Sequence, residues 1–254
     1  MSLQTGLIDY LFSNAILPAE IYTPVLLLSV LVVIIVSYLL GSINSAIIIS
    51  KLIYRDDVRK HGSGNPGTTN MLRTYGKGAA LLTLLGDMAK TALSILIAGI
   101  VFGFYYVYGV SMHDGFCYVA GLFSVLGHVF PLYYKFKGGK GVLSTATMVL
   151  ILSPIPFLIL IALFIALVAW TKYVSLGSVS AAILYPVALH GTFSVIGLPE
   201  SGLISLSSIV LAILIVWCHR ANLVRISNRT ENKISFGKKK EEPVEEEAGA
   251  DDEE

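Results

Sequence analysis

The chain is 254 residues long, 55% hydrophobic and 14% charged, proportions that exclude an ordinary soluble domain and leave a helical membrane bundle. The formal net charge of +1 hides a division: nine of the 17 acidic residues fall between positions 241 and 254, so positions 1–240 carry 18 Lys and Arg against eight Asp and Glu. A basic body suits phosphorylated substrates and anionic lipid head groups, although the Lys/Arg bias of cytoplasmic loops produces much of the same excess.

The N-terminal stretch MSLQTGLIDYLFSNAILPAE lacks the basic start and small-residue cleavage site of a signal peptide, so the first true span is expected to direct insertion. That span is predicted over 23–54, where Gly41, Ser42, Asn44 and Ser45 would let a neighbouring helix come close. The loop over 55–77 holds Arg55, Arg59, Lys60, Arg73 and Lys77 and belongs in the cytoplasm. A second span covers about 79–108, followed by a turn at 109–114 without Lys or Arg. A third, about 115–134, returns to the basic YKFKGGKG.

The apolar run 142–170 is either one long span or two short ones broken at SPIP, 153–156, where proline removes a helix hydrogen bond and restricts the residue before it. If it is one span, Lys172, Arg220, Arg225 and Arg229 change sides and the positive-inside rule is broken. If it is split, there are seven spans, with the N-terminus outside and the C-terminus in the cytoplasm. The outward segments 1–23, 109–114, 153–156 and 191–202 then contain no Lys or Arg. The split is therefore expected, with 142–152 too short to cross ~30 Å of hydrocarbon unaided. The last spans are predicted at about 174–190 and 203–218. Residues 1–234 read as one membrane domain and 235–254 as a charged, solvated tail. Cys117 and Cys218 lie in apolar runs without metal-ligand spacing and read as buried free thiols.

Three polar segments fall on one membrane face in this arrangement. GSGNPGTTNMLRTYGK offers backbone amides, hydroxyls and side-chain amides from Gly62, Ser63, Asn65, Thr68 and Asn70. Arg73 is expected at the start of the following helix, where free N–H groups favour an anion and the guanidinium adds a planar two-pronged donor. An ordinary Gly/Ser-rich connection has the same composition. KFKGGKGV sets Gly138, Gly139 and Gly141 around Lys140, with Lys137 ahead and Ser144 and Thr145 at the next helix start. Glycines there let backbone N–H groups close around phosphate oxygens. The Walker A spacing is absent, which disfavours nucleotide hydrolysis, and a basic glycine turn obeying the positive-inside rule fits equally well.

Asp87 and Lys90, three residues apart inside the second span, must share a helix face toward the bundle and pair, as a functional or a structural couple. His128 ends the third span in GHVFP, a place for a structural or a catalytic histidine. His219, Asn222 and Arg225 follow one helix face after the last span, with Arg220 adjacent and Glu231 further on. They suit orientation of a polar substrate and proton movement, or binding of lipid head groups by a basic membrane-proximal end.

Together these segments resemble the acyl-phosphate:glycerol-3-phosphate acyltransferases, the PlsY family, from about position 41 to 234. GSGNPGTTNMLRTYGK is similar to the family's first motif, GHVFPLYYKFKGGKGV to its second, and HRANLVR with TENK to its third. The resemblance implies that Ser63 and Arg73 are needed for activity and that Gly138, Gly139, Lys140 and Gly141 bind glycerol 3-phosphate. It also implies that His219 and Asn222 form an active-site pair and that Glu231 is a structurally important acid. Gly62, Asn65, Thr68, Asn70, Lys90, His128, Lys137, Ser144, Arg220 and Arg225 are expected to assist substrate binding, and Asp87 to be structural. Four departures stand out: Thr68 where Ala is usual, Asn44 where Pro is usual, Leu143-Ser144 in place of Ala-Thr, and Arg229 where Gly precedes Thr-Glu.

The fold so implied is an all-α bundle in the bacterial inner membrane. The activity implied is transfer of a fatty acyl group from acyl-phosphate to the sn-1 hydroxyl of glycerol 3-phosphate, giving lysophosphatidic acid. Membrane lipids surround it, and a soluble enzyme supplying acyl-phosphate is its metabolic partner. No cofactor, metal or nucleic acid is expected. Ser63, the amides of 62–70 and Arg73 would stabilise the oxyanion, Lys140 would hold glycerol 3-phosphate, and the substrate's own phosphate or His219 would take the proton. A transporter for a phosphorylated solute would also want basic, glycine-broken sites, but at the midplane of paired broken helices. A lipid-binding scaffold would want charge but no particular Ser, Asn or His.

Overall fold

A computed structural model of the chain describes residues 6–103, 106–107, 110–111, 115–197 and 199–234. The tail expected at 235–254 and part of the turn expected at 109–114 lie outside those residues. The apolar runs fold into helices, which satisfy their backbone polar groups internally, as a segment in hydrocarbon must. In chain order these are α1 (Leu7–Ser13), α2 (Tyr22–Ser42), α3 (Ser45–Ile53), α4 (Thr68–Tyr75), α5 (Lys77–Phe102), α6 (Phe116–Val129), α7 (Val142–Leu152), α8 (Pro154–Thr171), α9 (Val174–Ile196), α10 (Gly202–Cys218) and α11 (Arg220–Ser227). Between α5 and α6 the strands β1 (Tyr106–Val107) and β2 (Val110–Ser111) pair antiparallel, so β1 stands at the end of the expected second span, which as α5 stops at Phe102, and β2 in the expected turn.

Among the described residues, length and composition make five stretches able to cross a membrane: Ala19–Ile53, α5, Phe116–Tyr134, α8 and α9. α10 and α11 make a sixth as a pair bent by 52°. α7 is apolar but has 11 residues, about 16 Å of helix against a hydrocarbon layer of ~30 Å. The expected helical membrane bundle is present, and a seventh span would have to be α7.

Several boundaries differ from the sequence reading. The first span is not one helix, because Asn44 leaves helical geometry and its side chain accepts from Ile47 N at 3.0 Å, capping α3. α9 runs to Ile196, so 191–196 is helix rather than an outward loop. Of SPIP only Ser153 escapes helix, since Pro154 occupies the first turn of α8, where its missing N–H is not needed. Arg73 does not start a helix. It sits in the last turn of α4, and Gly76 at φ 87° ends α4 and begins α5, a conformation that a Cβ would oppose.

α2 packs on α6 through glycines: a Cβ on Gly41 would collide with the backbone of Ser124, and one on Gly127 with that of Tyr38. α5 runs beside both and buries Thr83, Asp87, Lys90, Thr91, Ser94, Ala98 and Phe102 along one stripe. Its buried hydroxyls bond carbonyls one turn back, Thr83 to Ala79 O at 2.8 Å and Ser94 to Lys90 O at 2.9 Å, which leaves them satisfied without a partner helix. α7 leaves from Gly141, and α8 ends at Lys172, whose carbonyl accepts from Ile234 N at 2.9 Å. The break at Ser153 therefore brings the chain back to the end of the bundle from which α7 set out.

Candidate active site

The loop ahead of α4 is tied down before it offers anything to a ligand. Asp57 caps the turn at 58–60 and takes Arg59 Nη2 at 2.6 Å, a bond that holds its carboxyl down at about 2. Tyr75 OH and His61 Nε2 both reach Asp56 Oδ2 at 2.7 Å. Asn70, 1% exposed, donates to Val58 O and His61 O and accepts from Ser63 N at 3.0 Å. Its amide thus holds the loop at both ends rather than reaching for substrate. Asn44 Nδ2 steadies the same loop at Pro66 O, 3.3 Å away. Ser63 remains exposed on this scaffold, and Arg73, in the last turn of α4, makes among the described residues a single long bond of 3.4 Å to Asn232 O.

The glycine loop is built differently from the phosphate cradle its composition suggests. Gly138 N donates to Val129 O at 3.2 Å and Gly139 N to His128 O at 3.1 Å, so both amides close the end of α6. These positions are glycine because a Cβ on Gly138 would strike His128 O and one on Gly139 would strike the His128 ring. His128 Nδ1 lies 2.9 Å from Lys90 Nζ, which also donates to Ile43 O at 2.7 Å and pairs with Asp87 Oδ1 at 3.0 Å. An ammonium has three donors. All three of Lys90 are therefore engaged inside the bundle, where they join the α2–α3 break to α5 and α6. Lys140 follows the glycines, and burial, with Arg225 and Arg73 adding to it against Glu231, pushes its ammonium down to about 8.

Lys140 leads into the third segment. Its Nζ donates to Asn222 Oδ1 at 2.6 Å, and because lysine only donates, the Asn222 amide orientation is settled. Asn222 Nδ2 then donates to Ser175 Oγ at 2.9 Å and Glu231 Oε1 at 2.7 Å. Ser175 donates to Glu231 Oε1 at 2.7 Å, and Arg225 Nε to Oε2 at 2.7 Å. Burial pushes the Glu231 carboxyl up, but the bonds from Asn222, Ser175 and Arg225 outweigh it and hold the group below its ordinary value. His219, 3% exposed at the α10–α11 bend, donates Nδ1–H to Ile215 O at 2.8 Å, which leaves Nε2 as the ring nitrogen without a bond among the described residues.

These groups share one cavity of about 490 Å³. Its polar mouth carries Ser63, Asn65, Thr68, Asn70, Arg73, Lys140, Gly141, His219, Asn222, Arg225 and Glu231, with Asp87 and His128 behind them. Three hydroxyl oxygens of the lining, Thr68 Oγ1, Thr145 Oγ1 and Tyr185 OH, are buried without a hydrogen bond among the described residues. Below the mouth the cavity continues as an apolar arm between α7, α8 and α9, lined by Val149, Phe157, Leu160, Phe164, Ala182 and Tyr185. Cationic and polar groups at one end and a dry arm at the other fit a molecule with an anionic head and an apolar chain.

The family described as Glycerol-3-phosphate acyltransferase matches over residues 31–229. The chain belongs to that family. Glycerol-3-phosphate acyltransferase 3 of Bacillus anthracis is 39% identical over 205 residues, covering 81% of this chain and 95% of that one. Glycerol-3-phosphate acyltransferase of Bacillus subtilis (strain 168) is 37% identical over 206 residues, covering 80% and 96%. Among solved structures, the glycerol 3-phosphate form of PlsY (YgiH), an integral membrane glycerol 3-phosphate acyltransferase, superposes with TM-score 0.70 at 34% identity, covering 82% of this chain and 96% of that one. Its lysophosphatidic acid form gives 0.68 at 33% identity with the same coverage.

Within this glycerol-3-phosphate acyltransferase fold, some residues expected at the substrate stand elsewhere. Lys90 is behind the cavity wall, and the Gly62, Gly138 and Gly139 backbones serve packing. Lys137 is exposed off the cavity. Arg220 lies over the Trp217 ring at 4.3 Å and donates to Trp217 O, pointing it away from the network. Ser144 is fully buried and does not line the cavity. Conversely, the sequence reading passed over Ser175, the hub between Asn222 and Glu231. Its signal was a small hydroxyl in the first turn of a helix, three residues after Lys172, in the stretch TKYVS. Arg229, which stands where the family motif has Gly, adopts φ 59° and still delivers Glu231 to the network.

Proposed function

We propose that this chain transfers a fatty acyl group from acyl-phosphate to the sn-1 hydroxyl of glycerol 3-phosphate, forming lysophosphatidic acid and inorganic phosphate. The observation that carries the reading is the union, in one cavity, of a cationic mouth built from three loops with an apolar arm. Lys140, fixed on Asn222, faces the mouth with donors to spare for the phosphate of glycerol 3-phosphate. Arg73, nearly free of internal bonds, suits the phosphate of the acyl donor and offers two parallel donors. The hydroxyl oxygen attacks the acyl carbonyl, the carbonyl–phosphate bond breaks, and the hydroxyl proton ends on the departing phosphate, directly or by way of His219 Nε2. Ser63 and Arg73 stabilise the oxyanion as it forms. A mixed anhydride is already activated, so the scheme calls for no cofactor.

In this reading residues 1–234 form a seven-span domain of the bacterial inner membrane, with α7 as a short span and the N-terminus outside. The three loops and the tail at 235–254 face the cytoplasm, where a soluble enzyme delivers acyl-phosphate. The return of α8 to the starting face of α7 supports it. The test is product analysis: purified protein with palmitoyl phosphate and glycerol 3-phosphate should yield 1-acyl lysophosphatidic acid and phosphate in equal amounts. Arg73→Lys keeps the charge but loses the fork, and should lower kcat at least tenfold with little loss of folded protein. A 2-acyl product, or an unchanged kcat in that variant, contradicts the assignment.

A further inference from the structure

The apolar arm can be followed along α9. On α9, Ser175 belongs to the polar network, and Ser178, Ala181, Ala182 and Tyr185 follow it on the face that lines the cavity. Ten residues from Ser175 to Tyr185 correspond to a helical rise of about 15 Å. The walls alongside are Val149 of α7 and Phe157, Leu160 and Phe164 of α8. Tyr185 is 2% exposed and packs into the main apolar core with Tyr118 and Leu152. Behind that core the end of α7 is sealed, because Tyr118 OH bonds Leu152 O at 3.1 Å and lies 2.6 Å from Ser153 Oγ. Higher in the arm the residue facing the cavity is the small Ala182, 6% exposed. Tyr185 is therefore the last residue of α9 in the cavity lining, and the small Ala182 stands one turn nearer the polar network.

We propose that Tyr185 is the stop that sets the acyl-chain length this protein accepts, a specificity residue that rests on the acyl-phosphate reading above. A chain whose methyl end reaches the ring fills the arm. A longer one has to turn its last methylenes out of it, and each methylene left out loses about fourfold in binding. The ring, not its hydroxyl, is the stop, since the hydroxyl makes no hydrogen bond of ordinary length among the described residues.

The experiment compares kcat/KM for lauroyl, palmitoyl and stearoyl phosphate at saturating glycerol 3-phosphate in the wild type and four variants. Tyr185→Ala and Tyr185→Leu should raise the stearoyl-to-palmitoyl ratio about fifteenfold, as two further methylenes find room. Tyr185→Phe keeps the ring and should keep the wild-type profile. Ala182→Phe closes the arm nearer the mouth and should shift preference toward lauroyl phosphate, so the idea stays testable even if the shortened Tyr185 variants fold poorly. Profiles that coincide in all variants, with the wild type turning over, overturn the stop while leaving the reaction intact. A wild type that turns over no acyl phosphate of any length overturns the reaction, and the stop with it.

Discussion

Arg229 holds a left-handed backbone, φ 59°, which opposes a side chain by roughly 1 kcal/mol. The turn is nonetheless made, because Thr230 N and Glu231 N both reach Arg225 O, at 2.8 and 3.2 Å. Arg229→Gly should therefore raise thermal stability by about 1 kcal/mol with kcat unchanged, measured by the melting temperature in detergent. A lower melting temperature would show that the Arg229 side chain has a stabilising role outweighing its backbone. Lys140 carries the pH dependence. With its ammonium at about 8, the cation is present at neutral pH and is lost as pH rises through that value. The KM for glycerol 3-phosphate should then rise about tenfold between pH 7 and pH 9, and Lys140→Arg, which stays charged, should flatten the rise. A wild-type KM that is flat over that range contradicts the role given to Lys140.

At this scale the sequence was most legible where polar residues interrupt apolar surroundings. Ser63, Arg73, Lys140, His219 and Asn222 all reach one cavity. It was least legible where a residue's partner is remote in the chain. Nothing local shows that Lys90 spends its donors on Ile43 and His128, or that Ser175 meets Asn222 47 positions away. Gly138 and Gly139 were ambiguous for a related reason: glycine marks close approach, but composition does not say whether a phosphate or the end of α6 approaches.

Among the elements, the break at Ser153 decides the arrangement. Proline chemistry made it legible, and α7 and α8 are separate helices. The break at Asn44 was not legible as a break, because Asn can end a helix or sit within one, and the cap on Ile47 N exists only when α3 is formed. If α8 returns the chain to the cytoplasmic face, a cysteine at position 172 should be shielded from an impermeant thiol reagent in intact cells and label after permeabilisation. Cys117 and Cys218 would be replaced in the background. Labelling of intact cells at position 172 would place Lys172 outside, and with it the network of Ser175, Asn222 and Glu231 that adjoins it.

For the whole molecule, three loops meet at one end of the bundle over an apolar arm, and no single segment contains the site. The glycerol-3-phosphate acyltransferase family over residues 31–229 fixes the acceptor class, while the donor we propose is an acyl phosphate, since Arg73 and Lys140 at the mouth suit two phosphates at once. The decisive measurement is donor discrimination by the purified protein in a chelating buffer, with glycerol 3-phosphate as acceptor. Palmitoyl phosphate should give lysophosphatidic acid at a rate at least a hundredfold above palmitoyl-CoA, on the order of the 3 kcal/mol that a lost charge-assisted contact represents. Product formed only from palmitoyl-CoA, or only after a metal ion is restored, would contradict the account.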